Sequence, residues 1–323
     1  MNKTITNKDE YMHMCNVRNY PMTYDNKMEK EFFGHKVILE KNKWQWHLHI
    51  KVTNACNAKC AFCVEQNSVC KSHAKHLIEN VDKMLYELKK NKTLFSVSVT
   101  GGEPLVFPEF RQLCDVLRKY KIPFLTMNTN GQFLKDYVDC IDGLFCFVNI
   151  SRHSIDDEEN YKIFGTRNVP SLDELKEIKK LYKKTKIRFQ CVMEDTMTID
   201  DFIDFITKFS FADDLSFRRL MLLGEEYGVK YDSHTDDYFK ILQYVFDNFT
   251  LREQTIQDYY IYETWDCVTK DNKHIDVTFS YSDMEILREV EKHESSSVIR
   301  EFICHPNGHI CGSWNPDEKV LLE

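Results

Sequence analysis

Between residues 37 and 225, short β-branched and apolar runs alternate with longer stretches of helical spacing, and no other feature restricts the fold so strongly. Residues 46–52 alternate apolar and polar side chains, as a half-buried strand does. Residues 94–99, 124–131, 147–151, 187–193 and 215–221 predict five more strands. Between them Val81, Met84, Leu85 and Leu88 recur at helical spacing, as do Phe110, Leu113, Cys114 and Leu117. Ser171-Leu172-Asp173-Glu174 predicts a capping box opening a helix to about Lys184, and residues 200–209 predict another. Such alternation folds as right-handed βαβ units on a parallel sheet, so an α/β protein is expected.

The flanking segments read differently. Residues 1–36 are polar and irregular and predict an arm. From 226 to 323 the alternation breaks, and a smaller α+β extension is expected. It opens with a helix at 236–249, followed by Tyr259, Tyr260 and Tyr262 and a strand at 274–281. Ser282-Asp283-Met284-Glu285 predicts another helix start. Strands at 299–304 and 309–314 are joined by His305-Pro306-Asn307-Gly308, where Asn-Gly signals a hairpin.

Charge and hydropathy exclude several function classes. The formal net charge is −8 with no long basic run, so a dedicated nucleic-acid surface is not expected. The apolar runs fall far short of a membrane span. Residues 1–20 lack a signal-peptide core, so a cytoplasmic protein is expected. In that reducing compartment the 12 cysteines are metal ligands or small buried hydrophobes. Cys114, Cys140, Cys146 and Cys191 lie in apolar patterns and read as core.

Directly after the first of the six strands come Cys56, Cys60 and Cys63, in C-x3-C-x2-C spacing. Loops at strand C-termini are where α/β barrels place their chemistry. An iron–sulfur cube normally takes four cysteines, so a cube held by three leaves one iron open. Zinc favours a tetrahedral set of four, with Cys70 or His73 available as the fourth ligand. Gly101-Gly102-Glu103-Pro104 follows the second strand, about forty residues on. Its glycines permit close backbone approach, and Glu103 offers a carboxylate to an ammonium group.

Together these two motifs, with Phe62 ahead of the last cysteine, resemble the radical S-adenosylmethionine (SAM) enzymes over roughly residues 45–225. The resemblance implies a partial (β/α)6 barrel of the TIM type, spanning 37–225. It also implies that 226–323 is a SPASM- or twitch-like extension covering the open side. A 4Fe–4S cluster would sit on Cys56, Cys60 and Cys63, its fourth iron chelated by the amino and carboxylate groups of SAM. Gly101, Gly102 and Glu103 would hold the SAM amino group. Asn149, Ser151, Gln190 and one of Arg218 and Arg219 would meet its carboxylate and ribose, and Phe62 would shield the cluster or stack on a bound ring. Arg152 and His153 would face SAM or substrate. For each strand-end residue the ordinary alternative is a capping or solvent-facing group.

The implied reaction starts with one electron from a donor such as flavodoxin or ferredoxin. Cleavage of SAM then yields a 5′-deoxyadenosyl radical that takes hydrogen from an unactivated carbon. The substrate would be a small molecule, such as a nucleotide or sugar, or a ribosomally made peptide. Residues 1–36 are shorter than the usual leader-peptide recognition domain, which favours the small molecule. The superfamily's molybdenum-cofactor cyclases end in Gly-Gly, whereas this chain ends Val320-Leu321-Leu322-Glu323, which argues against cyclisation.

Cys267, Cys304 and Cys311 are candidates for a second, auxiliary iron–sulfur cluster, although no C-x2-C pair occurs among them. In the preferred reading they are plain thiols, with Cys304 and Cys311 facing each other across the hairpin. A reading from another class is a zinc-stabilised, non-catalytic binding module on Cys56, Cys60, Cys63 and Cys70. It leaves the strand-end Gly-Gly-Glu-Pro without a role.

Overall fold

The computed structural model describes residues 27–40, 46–60, 62–63, 73–92, 95–193, 197–220, 236–257, 260–282 and 292–323. It opens with a hairpin, β1 (Lys27–Phe32) and β2 (His35–Glu40). Phe33 and Gly34 both take positive φ, 51° and 83°, in the turn between them. That is the primed geometry that suits two-residue hairpins. The end of the expected irregular arm is therefore a strand; its turn lacks the Asn-Gly or Asp-Gly that would have marked it.

Six strands then lie side by side, all parallel and in chain order: β3 (Trp46–Lys51), β4 (Phe95–Thr100), β5 (Phe124–Thr129), β6 (Phe147–Ser151), β7 (Lys186–Met193) and β8 (Asp214–Arg219). The connecting helices are α1 (Leu77–Lys90), α2 (Phe110–Tyr120), α3 (Val138–Ile141), α4 (Asp157–Phe164), α5 (Leu172–Leu181) and α6 (Ile199–Lys208). The expected α/β architecture is present, with strand ends within two residues of those read from the pattern. Helix α1 starts at Leu77, ahead of the expected Val81. The capping box of Ser171 and Glu174 opens α5, and a second, of Thr198 and Asp201, opens α6. The second was not legible because Asp stands where Glu is usual.

Each strand carries an apolar and a polar face. Ile50, Val99, Met127, Val148 and Ile187 form one ladder across the sheet, and all are buried with the helices in the core. Each such side chain contributes about 1.5–3 kcal/mol on burial. The opposite face is polar. Asn128, Asn149, Arg188 and Asp214 form one rung, and Ser151, Gln190 and Ser216 the next. Parallel sheets usually read as continuous apolar runs because both faces are covered by protein. Six alternating parallel strands instead leave one polar face, suited to a polar ligand.

The C-terminal region does not stand apart from this sheet. It comprises α7 (Asp236–Asn248), β9 (Thr250–Gln257), β10 (Tyr260–Val268), β11 (His274–Ser282), β12 (Val298–Ile299), β13 (Glu301–Cys304), β14 (Ile310–Cys311) and β15 (Val320–Leu322). β11 joins the edge at β8 in parallel, and β10 and β9 follow antiparallel. β13 joins the other edge at β3 in parallel, followed by β14 and β15. A 12-stranded sheet results. β12 instead pairs with β2 in a sheet of three. Tyr260 and Tyr262 lie in β10, Tyr259 lies outside the described residues, and the hairpin at 305–308 forms as expected, with Gly308 N–H donating to His305 O at 2.9 Å. The helix expected from Ser282-Asp283 lies outside the described residues. Among the described residues no helix is long and apolar enough to cross a membrane.

Candidate active site

Two loops meet at the C-terminal ends of β3 and β4. Beyond the strands the backbones stay bonded: Val52 N–H donates to Thr100 O (3.0 Å), Gly102 N–H to Thr53 O (2.7 Å) and Glu103 N–H to Ala55 O (2.9 Å). The glycines are there because nothing larger fits. A Cβ on Gly101, whose φ is +137°, would lie 2.4 Å from Thr53 O, and one on Gly102 2.2 Å from Ala55 O. The Gly-Gly pair thus closes its turn onto the segment that feeds Cys56.

Glu103 is buried, 1% exposed, and its carboxylate ties this junction to the end of β5. It accepts from Thr129 Oγ1 (2.7 Å), Asn130 N–H (2.7 Å) and Leu105 N–H (3.1 Å). Burial pushes its pKa up, and the three donors oppose that. Asn130 Nδ2 in turn donates to Asn57 Oδ1 at 2.7 Å, mooring the residue after Cys56. Sequence reasoning looked for an ammonium partner in Glu103; the structure gives its carboxylate three protein donors.

The three thiols influence one another. Burial, then Cys63 and Cys56, push the Cys60 thiol up to about 12. Burial also raises Cys56, helped by Glu103 and Cys63 and opposed by Ala58 N–H, which donates to its Sγ at 3.4 Å. Three thiolates so placed need a cationic partner. Among the described residues no three His, Cys, Asp or Glu side chains converge on a single ion. A cube instead takes one thiolate per iron. Cys70 lies outside the described residues, and His73 Nε2 pairs with Glu109 Oε2 at 3.0 Å.

The strand ends beside this loop carry unsatisfied polar atoms. Asn149 Nδ2 donates to Asn128 Oδ1 at 2.9 Å, while Asn149 Oδ1, Asn57 Nδ2 and Gln132 Oε1 are buried without a hydrogen-bond partner. Buried polar groups are normally paired, and three orphans in one region suit a polar ligand. Ser151 and Gln190 sit in register on the same face as Asn149. Strand parity separates the two arginines. Arg218 shares the polar face with Ser216, whereas the Arg219 guanidinium lies over Phe239 (5.3 Å) and Tyr281 (4.9 Å) on the other face.

Arg152 and His153 are not placed as substrate contacts. Arg152 is fully buried, and its guanidinium donates to Ser154 O (2.6 Å), Pro170 O (3.3 Å) and Asp157 Oδ1 (2.6 Å). His153 is 9% exposed; its Nδ1 accepts from Val192 N–H at 3.1 Å, which assigns a neutral ring protonated at Nε2. Burial, then the charge of Arg152, hold its pKa at about 3. Phe62 stands edge-on to this ring, centroids 5.1 Å apart.

Nor are the three C-terminal cysteines brought together. Cys267 lies on β10, near one edge of the large sheet, and Cys304 and Cys311 lie near the other, with seven strands between. All three are fully buried, and burial raises each thiol. Register pairs Cys304 with Ile310 and Cys311 with Ile303, so the two cysteines point to opposite faces of the hairpin.

Sequence reasoning missed Asn57, Thr129, Asn130 and Gln132; their signal was a polar run at the end of an apolar strand. It also missed a cluster on the polar face at the β3 edge. His47 Nδ1 is 2.6 Å from Ser96 Oγ, and His49 Nε2 is 2.9 Å from Glu301 Oε2. Trp314 Nε1 donates to Glu301 Oε1. Burial raises the Glu301 carboxyl, but His49, His47 and Trp314 overcome this and hold it at about 2.

Comparison with known proteins agrees with this geometry. Residues 50–209 match the profile of the radical SAM superfamily. A GTP 3′,8-cyclase of Clostridium perfringens is 30% identical over 186 residues, 55% of this chain and 56% of that protein. A candidate glycyl-radical enzyme activating enzyme of Methanocaldococcus jannaschii is 25% identical over 172 residues, 52% of this chain and 64% of that one. The chain therefore spans between half and two thirds of the length of these curated relatives. Streptococcus suis SuiB, solved with its precursor peptide SuiA, superposes with a TM-score of 0.61 at 16% identity, over 97% of this chain and 75% of SuiB. At that identity the likeness is one of fold. The profile match runs from the end of β3 through α6, the stretch that builds the site, and the chain belongs to the radical SAM superfamily.

Proposed function

We propose that this chain is an enzyme that cleaves SAM reductively at a 4Fe–4S cluster held by Cys56, Cys60 and Cys63. The observation that carries the reading is the junction of the cysteine loop with the Gly-Gly-Glu turn, where three thiols that feel one another's charge adjoin the unpaired Asn57 Nδ2. When bound, cluster and SAM supply a 5′-deoxyadenosyl radical that removes hydrogen from an unactivated carbon. The protein's part is position and exclusion of water. The Gly101-Gly102-Glu103 edge orients the SAM amino group, and Asn149, Ser151, Gln190 and Arg218 take its carboxylate and ribose. Glu103 acts through Thr129 and Asn130, holding the strand ends in register.

The polar face suits a polar substrate. Similarity to GTP 3′,8-cyclases makes a nucleotide the first class to test, and ribosomal peptides the second. A reduced cytosolic protein served by a flavodoxin or ferredoxin accords with described cysteines that are all free thiols. Anaerobic reconstitution with iron and sulfide tests the cofactor. About four irons per chain, lost when the three cysteines become Ala, supports the reading. A colourless protein that takes zinc instead overturns it in favour of the binding module.

A further inference from the structure

Among the described residues the cysteine loop is moored at Asn57, within the machinery described above, and again at Lys59, outside it. Asn57 is tied to the end of β5, near Cys56. The second half of the loop, with Cys60 and Cys63, is tied to α4. Lys59 N–H donates to Phe164 O at 2.8 Å, at the last residue of that helix. The ring of Phe164 stacks on His153, centroids 5.0 Å apart and planes at 27°. His153 also meets Phe62, edge to face, with centroids 5.1 Å apart and planes at 90°. Its own position is fixed by Val192 N–H at Nδ1 and by its backbone N–H on Asn160 Oδ1 at 3.0 Å. The result is a ring cluster of Phe62, His153 and Phe164, linking the cysteine loop, the end of β6 and the end of α4.

We propose that His153 is a positioning residue for the cluster: its ring clamps Phe62 against α4 and so sets where Cys60 and Cys63 stand relative to SAM. This rests on the cofactor reading above. Phe62 is one residue from Cys63, so the clamp acts on the half of the loop that Asn57 does not hold. Edge-to-face and stacked ring pairs are worth enough to order such a segment, and the buried acceptor for Val192 keeps the imidazole from turning out.

The test uses the full, anaerobically reconstituted chain with two readouts: iron release to a ferrous chelator, and the change that SAM causes in the EPR spectrum of the reduced cluster. His153→Ala should release iron roughly tenfold faster, about 1.4 kcal/mol, and blunt the SAM-induced change. His153→Phe keeps a ring and should restore both. His153→Asn keeps an acceptor for Val192 without a ring and should behave like the Ala variant. An Ala variant equal to wild type, or an Asn variant as good as the Phe variant, would overturn the clamp. Should the Ala variant not fold, Phe62→Ala gives the same decision. It should release iron faster and make the further change His153→Asn immaterial, whereas additive effects of Phe62→Ala and His153→Asn contradict the clamp. Wild-type protein that binds no cluster fails the cofactor reading itself, and the clamp falls with it; wild type that responds to SAM beside variants that match it fails the clamp alone.

Discussion

Gly102 has less room than Gly101 at the junction: its missing Cβ would stand 2.2 Å from a backbone oxygen that cannot rotate away. Gly102→Ala should cost about 2–3 kcal/mol, read as a lower urea midpoint at unchanged slope. A shift below about 0.5 kcal/mol would mean the two loops part easily. Glu103→Gln keeps one carbonyl oxygen for Thr129 and Leu105 but turns an NH2 toward Asn130 N–H, a donor facing a donor, and should destabilise by about 1–3 kcal/mol. His153 adds a pH signature. Its folded pKa, about 3, lies below the unfolded value, so stability is full above about pH 6.5 and falls as the pH drops toward 3. His153→Phe should flatten the decline by up to about 1.4 kcal/mol per pH unit, measured by denaturation between pH 7 and 4.5. Equal slopes would show that the ring is protonated in the folded state.

At the level of the element, parity along β8 decides between two neighbouring arginines. Arg218→Ala should weaken SAM binding by about tenfold, while Arg219→Ala should leave it unchanged and cost about 1 kcal/mol of stability through two lost ring contacts. Equilibrium titration of the reconstituted protein with SAM checks both, and the reverse pattern would contradict the register. The six strands were legible because alternation is a local property, and each run was bounded by loop residues. Which arginine faces the ligand was not legible, because Arg218 and Arg219 are adjacent and the strand's end could be read one residue either way. Arg152 and His153 misled for a related reason. They follow a strand end, where chemistry is expected, yet the chain turns there toward α4 and buries both. The orphaned Asn57 and Gln132 were invisible because lost pairing is a tertiary property.

Across the whole molecule, the C-terminal region contributes strands to both edges of the central sheet, a topology that no local pattern announces. That topology separates Cys267 from Cys304 and Cys311, three thiols that only a resemblance to a cluster-bearing C-terminal extension had grouped. Cys267→Ser should therefore leave reconstituted iron near four per chain while costing about 1–3 kcal/mol for a buried hydroxyl. Iron near eight in wild type, falling in the variant, would contradict the separation. What was legible at this scale was the pairing of motifs: a three-cysteine loop after one strand and Gly-Gly-Glu-Pro after the next, which the fold brings into backbone contact. A cluster held at this junction should cleave SAM. The direct test is release of 5′-deoxyadenosine from SAM by reduced, reconstituted protein beside a variant with Cys56, Cys60 and Cys63 changed to Ala. Release by the wild type and none by the variant is the expected result; equal release from both, or none from cluster-loaded wild type across nucleotide and peptide substrates, would contradict it.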